Sequence, residues 1–325
     1  MRVRFSARTH VGMRREVNQD AYGSGQPGPA TLLVVCDGMG GHAAGEVASA
    51  LGVATIVETF RPDLPPGEAL NVAFTNANQR IYNEGRGSMG TTGVAALFLQ
   101  NVLHVANVGD SRAYLVREDA ISQISHDHSF VSDQVAAGLM TPEQARSSNI
   151  RNIITRALGH TDAVEVDLFT LRLRPGDTVI LSSDGMHGLV SDAEIAEVAG
   201  VLTLDKAAQR LVDMANERGG PDNVTVVIAR VDELDATGPD EVPTTPLTEP
   251  EPPPAAPPPP APPVERPLSR LGAALAALTL VALLSLGGLL LAPSAAPPTN
   301  TPVPATVVPA TPTAAPGTPS PTGTR

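Results

Sequence analysis

Proline divides this chain. Of its 32 prolines in 325 residues, eight lie in residues 1–234, 14 lie between Asp235 and Ser269, and ten follow Ala292. A residue with a fixed φ and no amide N–H interrupts helices and sheet ladders alike, so only the first stretch can carry regular structure at length. The distribution predicts one folded domain at 1–234, a Pro-rich linker at 235–270, a separate segment at 271–292 and a Thr/Pro-rich tail at 293–325. The linker run TEPEPPPAAPPPPAPPVERP reads as a semi-rigid polyproline II spacer, and the tail as a disordered segment without enough apolar residues for a core.

The third segment, LGAALAALTLVALLSLGGLLLA, runs from Leu271 to Ala292 without a charge. At helical rise its length is roughly 33 Å, enough to cross a hydrocarbon core, which predicts a single transmembrane helix. Arg266 and Arg270 precede it and the next charge is Arg325, so the positive-inside bias places the N-terminal domain in the cytoplasm and the tail outside.

Residues 1–234 carry 19 Lys and Arg against 28 Asp and Glu. That balance repels polyanions and excludes nucleic acid as a partner. A single cysteine, Cys36, excludes an intramolecular disulfide; in its apolar run it reads as a small core side chain.

Within the domain, β-rich runs stand at 31–36, 91–99, 102–108, 112–116, 178–183 and 224–231. The three middle runs are joined by Gln100-Asn101 and Gly109-Asp110-Ser111, connections too short for a parallel crossover, which predicts an antiparallel meander. Helical patterns cover roughly 43–59, 67–84, 191–199 and 205–218. The class is α+β on antiparallel sheet. Residues 128–160 form a polar, helix-prone excursion that reads equally as a flap beside a site or as a surface helix.

Aspartates sit where strands end. Asp37 closes TLLVVC, Asp110 follows VLHVANVG, Asp184 follows TVILSS, and Asp222 precedes the last strand within GGPDN. One such residue is an ordinary turn former, whereas four gathered on one rim repel unless a cation sits between them. Oxygen donors without a cysteine or histidine cluster favour Mg²⁺ or Mn²⁺ over Zn²⁺. Competing readings of VVCDGMGGHAAGEVAS fail. A Cys-x₅-Arg thiol phosphatase needs arginine where His42 stands, a dinucleotide loop would set Asp37 against a pyrophosphate, and the lone lysine, Lys206, follows no glycine loop. His126 and His128 in SHDHS read as surface-loop residues rather than a zinc pair, and Arg112 as structural.

Seven stretches, REVNQDAY, VVCDGMGGHAAGEVAS, MGTTGVAAL, ANVGDSRAYLVR, ITRALG, SSDGMHGLV and GGPDNVTVV, together resemble the PP2C-type (PPM) metal-dependent serine/threonine protein phosphatases in their bacterial form. The resemblance implies a four-layer α-β-β-α sandwich of two antiparallel sheets flanked by helices. It also implies a centre for two Mn²⁺ or Mg²⁺ ions, with a third in some members. By it, Asp37 bridges two ions, the Gly38 carbonyl completes one, Asp184 and Asp222 hold the other, and Asp110 joins Asp184 at the third. A hydroxide shared by two ions would attack phosphorus in line, without a phospho-enzyme. Arg15 matches the phosphate-binding arginine, Asp20 orients metal-bound waters, and His42 matches the general acid for the leaving alkoxide. Gln19 stands where glutamate is common, keeping a carbonyl acceptor and losing the charge. The expected substrates are phosphoserine and phosphothreonine on proteins, with a membrane Ser/Thr kinase as the opposed partner. The alternative is a catalytically weak pseudo-phosphatase that binds phosphoproteins in signalling.

Overall fold

The structure, a computed structural model, describes residues 1–41, 44–150, 152–236 and 244–245. The span expected at Leu271–Ala292 and the candidate acid His42 lie outside the described residues. Among the described residues no helix is long and apolar enough to cross a membrane.

The chain runs through β1 (Arg2–His10), β2 (Asp20–Gly25), β3 (Thr31–Met39), α1 (Ala44–Thr59), α2 (Pro66–Gly85), β4 (Gly90–Thr91), β5 (Gly93–Leu99), β6 (Val102–Val108), β7 (Arg112–Arg117) and β8 (Ala120–Gln123). There follow α3 (Phe130–Ala136), α4 (Pro142–Ser147), β9 (Asp167–Arg172), β10 (Thr178–Ser182), α5 (Asp184–His187), α6 (Asp192–Val201), α7 (Leu204–Glu217) and β11 (Val224–Glu233). One sheet has the order β1-β11-β10-β7-β8 and the other β2-β3-β5-β6-β9, with β4 appended to β3.

The pleat of β3 explains the layering. Leu32, Val34 and Cys36 pack with Ile56, Leu70, Phe74 and Ile81 of α1 and α2, while Leu33 and Val35 pack with Leu115, Val179, Leu181 and Val227 of the other sheet. A strand buried on both faces reads as an unbroken apolar run. A third core lies beyond the first sheet, where Ile180, Val226 and Ile228 meet Ile195, Leu211 and Ala215 of α6 and α7. Four layers result, helices outside and two antiparallel sheets within, as the resemblance implies. Cys36 is fully buried, and burial pushes its thiol pKa upward, away from nucleophilic use.

The meander requires correction. β5 and β6 pair as a hairpin through Gln100 and Asn101, both at positive φ, as a two-residue turn of this handedness requires. β7, however, pairs with β10 and β8 in the opposite sheet. The Gly109-Asp110-Ser111 link therefore crosses from one sheet to the other, with Gly109 at φ +102° where a Cβ would stand 2.7 Å from Thr92 Cβ.

The excursion at 128–160 carries α3 and α4, and its base is stitched shut. Phe130 N–H donates to the Ile153 carbonyl (2.8 Å), Thr155 N–H to the His128 carbonyl (2.9 Å), and Thr91 and Leu158 exchange backbone bonds of 3.0 and 2.8 Å. Because β4 pairs with Gly38 and Met39, this stitching sets the excursion beside the end of β3.

Candidate metal centre

The acidic residues meet where the two sheets share a rim. Asp20 opens β2 and stands directly opposite Asp37 on β3. Asp184 opens α5 just past β10, and Asp222 lies two residues before β11, so these two come from the other sheet. Asp110 sits on the link that crosses between the sheets.

The backbone around Asp37 is clamped. Its N–H donates to Thr92 Oγ1 (2.9 Å), and its carbonyl accepts from Thr91 Oγ1 and Thr92 N–H, both at 2.8 Å. Thr92 Oγ1 also meets Ser111 Oγ at 2.7 Å, which fixes Asp110 relative to Asp37 through one hydroxyl pair. Gly38 N–H donates to the Gln19 carbonyl (3.0 Å), and a Cβ on Gly38 would lie 2.0 Å from the Gly45 carbonyl oxygen. Only glycine fits there.

Burial and mutual repulsion raise these carboxyl pKa values. Asp20 is 8% exposed; burial, opposed in part by its hydrogen bonds and assisted by Asp184 and Asp222, pushes it up to about 7. Burial and then Asp184 and Asp127 push Asp110 up to about 8. Asp37 is raised well above the carboxylate range by burial, then by Asp20, Asp184, Asp110 and Asp222. Its neighbours thus include every other aspartate of the proposed set.

Whether these residues fit divalent cations is tested by one atom. Asp20 Oδ2 accepts from Ser183 Oγ (2.7 Å), while Asp20 Oδ1 is buried with no hydrogen-bond partner. A buried carboxylate oxygen without a partner is costly, and a cation or its hydration shell satisfies it. Among the described residues no three His, Cys, Asp or Glu side chains close into a ready-made cage. Asp222 is turned to an arginine instead, its Oδ2 accepting from the Arg15 guanidinium (2.8 Å). The donor set, all oxygen, fits Mn²⁺ or Mg²⁺.

Two buried hubs have roles that the sequence reading did not give them. Asn223 is 3% exposed; its Nδ2 donates to the carbonyls of Val11 (2.9 Å) and Val17 (3.0 Å), and its Oδ1 accepts from Gln19 N–H (2.7 Å). These bonds hold the loop bearing Arg15 against Asp222. The Asp-Asn pair reads in sequence as a turn former, which hides this role. Asn223→Ala leaves three backbone groups without partners and is expected to cost about 2–4 kcal/mol in urea unfolding at saturating Mn²⁺. It should also raise KM for a phosphopeptide more than it lowers kcat, because Arg15 loses its mooring. An unchanged KM would separate Asn223 from the phosphate loop.

His128 is the other hub, and the surface-loop expectation fails for it. It is 7% exposed; its Nδ1 accepts from Gly109 N–H (3.0 Å) and its Nε2 lies 3.1 Å from Asp167 Oδ2, close to Arg156. Its side chain thus braces the turn preceding Asp110. His126 is exposed, as expected, and rests edge-on against Phe169. Arg112 forms a bidentate pair with Asp127 (2.9 and 2.7 Å) and donates to Tyr114 Oη, which is structural.

A two-sheet sandwich with strand-end carboxylates on its shared rim and an arginine beside them is an arrangement suited to holding divalent cations next to a phosphoryl group. The family model for Protein phosphatase 2C matches residues 6–137. Protein phosphatase PhpP of Streptococcus pneumoniae is 34% identical over 246 residues, covering 72% of this chain and 100% of that protein. The serine/threonine protein phosphatase PstP of Mycobacterium tuberculosis is 41% identical over 242 residues, covering 72% of this chain; the chain spans about half (46%) of that relative's length. The crystal structure of the PstP catalytic domain in complex with two manganese ions superposes with a TM-score of 0.64 at 39% identity, covering 71% of this chain and 99% of that one. The chain belongs to the protein phosphatase 2C family.

Proposed function

We propose that this chain hydrolyses phosphoserine and phosphothreonine on proteins, using Mn²⁺ or Mg²⁺ held by Asp37, the Gly38 carbonyl, Asp184 and Asp222, with Asp110 and Asp184 at a third position. The observation that carries this reading is the convergence of the aspartates on one rim with a buried, unpartnered Asp20 oxygen among them. When bound, the cations neutralise the rim, polarise the phosphoryl oxygens and lower the pKa of a water for attack on phosphorus.

The chain's own residues do the rest. Arg15 is half exposed, and its planar fork takes two phosphoryl oxygens at once while its bond to Asp222 orients it toward the rim. Asp20, fixed by Ser183, accepts hydrogen bonds from water within the centre, and Gln19 contributes a neutral acceptor beside it. His42, five residues after Asp37, is assigned the proton that the leaving alkoxide requires.

That PstP and PhpP are protein phosphatases supports protein substrates. Leu271–Ala292 supports a single-pass anchor, and Arg266 and Arg270 support a cytoplasmic catalytic domain with the tail outside. Anchorage raises the effective concentration of membrane-bound phosphoproteins, which suits a phosphatase opposing a membrane Ser/Thr kinase. The test is hydrolysis of a phosphothreonine peptide with Mn²⁺ and with EDTA, in wild type and Arg15→Ala. Metal-dependent turnover is expected, with KM raised roughly tenfold or more in the variant. A folded chain that binds the peptide without turning it over in Mn²⁺ would instead be a binding module.

A further inference from the structure

β9 is the last strand of its sheet, and its outer edge is occupied. Thr170 stands opposite His104 of β6, and its backbone N–H and C=O both face away from that strand. The Thr170 carbonyl accepts from Thr245 N–H (2.8 Å), and Thr170 N–H donates to Thr245 Oγ1 (3.1 Å). Two residues along the same edge, the Arg172 carbonyl accepts from the Arg117 guanidinium (2.9 Å). Thr245 thus takes both outward backbone groups of Thr170.

The chain is steered there. Asn101, in the β5–β6 turn, accepts from Asp235 N–H at its Oδ1 (2.7 Å) and donates from its Nδ2 to the Asp235 carbonyl (2.9 Å). The Asn101 carbonyl also accepts from Leu173 N–H (2.9 Å), just past the end of β9. The exit from β11 is therefore held beside β9. Eight residues after Asp235 the sequence reads Pro243-Thr244-Thr245-Pro246. β-Branched threonines favour extended backbone, and a residue before proline is pushed toward it. Proline has no N–H to offer a ladder.

We propose that Thr244–Thr245 is an intramolecular edge strand that closes β9 against pairing with a second copy of this chain. An open edge is a template for another strand, all the more with Leu168 exposed on the same strand. In sequence the pair is bounded by Pro243 and Pro246, which have no N–H to offer a further strand. The occupant is the linker's own threonine pair, which becomes part of the domain's sheet.

The test is amide hydrogen exchange on the full chain with Mn²⁺, comparing wild type with Thr245→Val, which keeps the N–H and loses the acceptor oxygen, and Thr245→Pro, which loses the N–H. The Thr170 amide is expected to exchange about tenfold faster in both variants, with Phe169 and Leu171, whose amides face β6, unchanged. Phosphopeptide hydrolysis should remain at the wild-type level, and Thr245→Pro should self-associate with rising concentration in sedimentation. Equal Thr170 exchange in all three proteins overturns the docking. Faster exchange in Thr245→Pro without self-association overturns the closure against a second copy.

Discussion

Asp37→Asn is expected to lower phosphopeptide turnover by roughly 10³-fold or more at saturating Mn²⁺ while making the metal-free chain harder to melt. The two effects have one origin. Asp37 faces four other aspartates, and burial together with their charge disfavours its ionised form. The clamp from Thr91 and Thr92 acts on its backbone, so the substitution leaves the strand in place and changes only the head group. Asparagine removes the repulsion, and with it the charge that a bridging ligand must supply. A variant that keeps a tenth of wild-type turnover, or whose metal-free melting temperature falls, would sink the assignment of Asp37 to the centre. The combination of higher stability and lost activity is the signature of a functional residue kept at a cost to the fold.

Without metal, the chain is expected to lose stability as pH rises from about 6.5 to 8, and Mn²⁺ is expected to abolish that loss. Asp20 and Asp110 have folded pKa values pushed up to about 7 and about 8, against 3.8 for the free side chain. A raised acid pKa means that the folded state holds protons the unfolded state has released, so stability is fully present below about 4 and falls as pH climbs through the folded value. Histidines act in the opposite sense lower down. Burial lowers His104 to about 4 and also depresses His128 and His187, so the unfolded chain takes up protons there that the folded one refuses. Below about pH 6.5 the two groups oppose each other; above it the histidines are neutral in both states and the aspartates alone set the sign. A melting temperature in EDTA that falls by roughly 5–10 °C across this window is expected for a loss of a few kcal/mol. With Mn²⁺ present the curve should be flat or rise, because the cation displaces the same protons. A flat metal-free curve would show that these carboxyls do not share a crowded rim.

Legibility from sequence followed burial. β3, β5, β6, β10 and β11 are covered on both faces and appear as continuous apolar runs, which is why their ends, and the aspartates on them, could be found. β1 passed unread because its sequence, RVRFSARTH, mixes charges with apolar residues along a half-exposed edge. β2, DAYGSG, carries two glycines, and β8 has four residues, so neither has a period to detect. The sheet switch between β6 and β7 depends on one glycine conformation and a Thr92–Ser111 hydroxyl pair, which no periodicity encodes. Asn223 and His128 are polar residues spent on backbone groups far away in sequence; their partners exist only once the sheets have packed. The expected acid, His42, lies outside the described residues, whereas the strand-end aspartates meet on one rim and Arg15, named from the resemblance, lies against Asp222.

The rim takes Asp20 and Asp37 from one sheet and Asp184 and Asp222 from the other, joined by the Asp20–Ser183 bond. The spacing of the two pairs of aspartates therefore depends on how the side chains between the sheets pack. Leu33, Val35, Phe98, Leu181 and Val227 act as a spacer for chemistry they never touch. A methylene gained or lost there is expected to shift one pair of aspartates against the other, so packing in the middle of the sandwich reaches the rim without touching it.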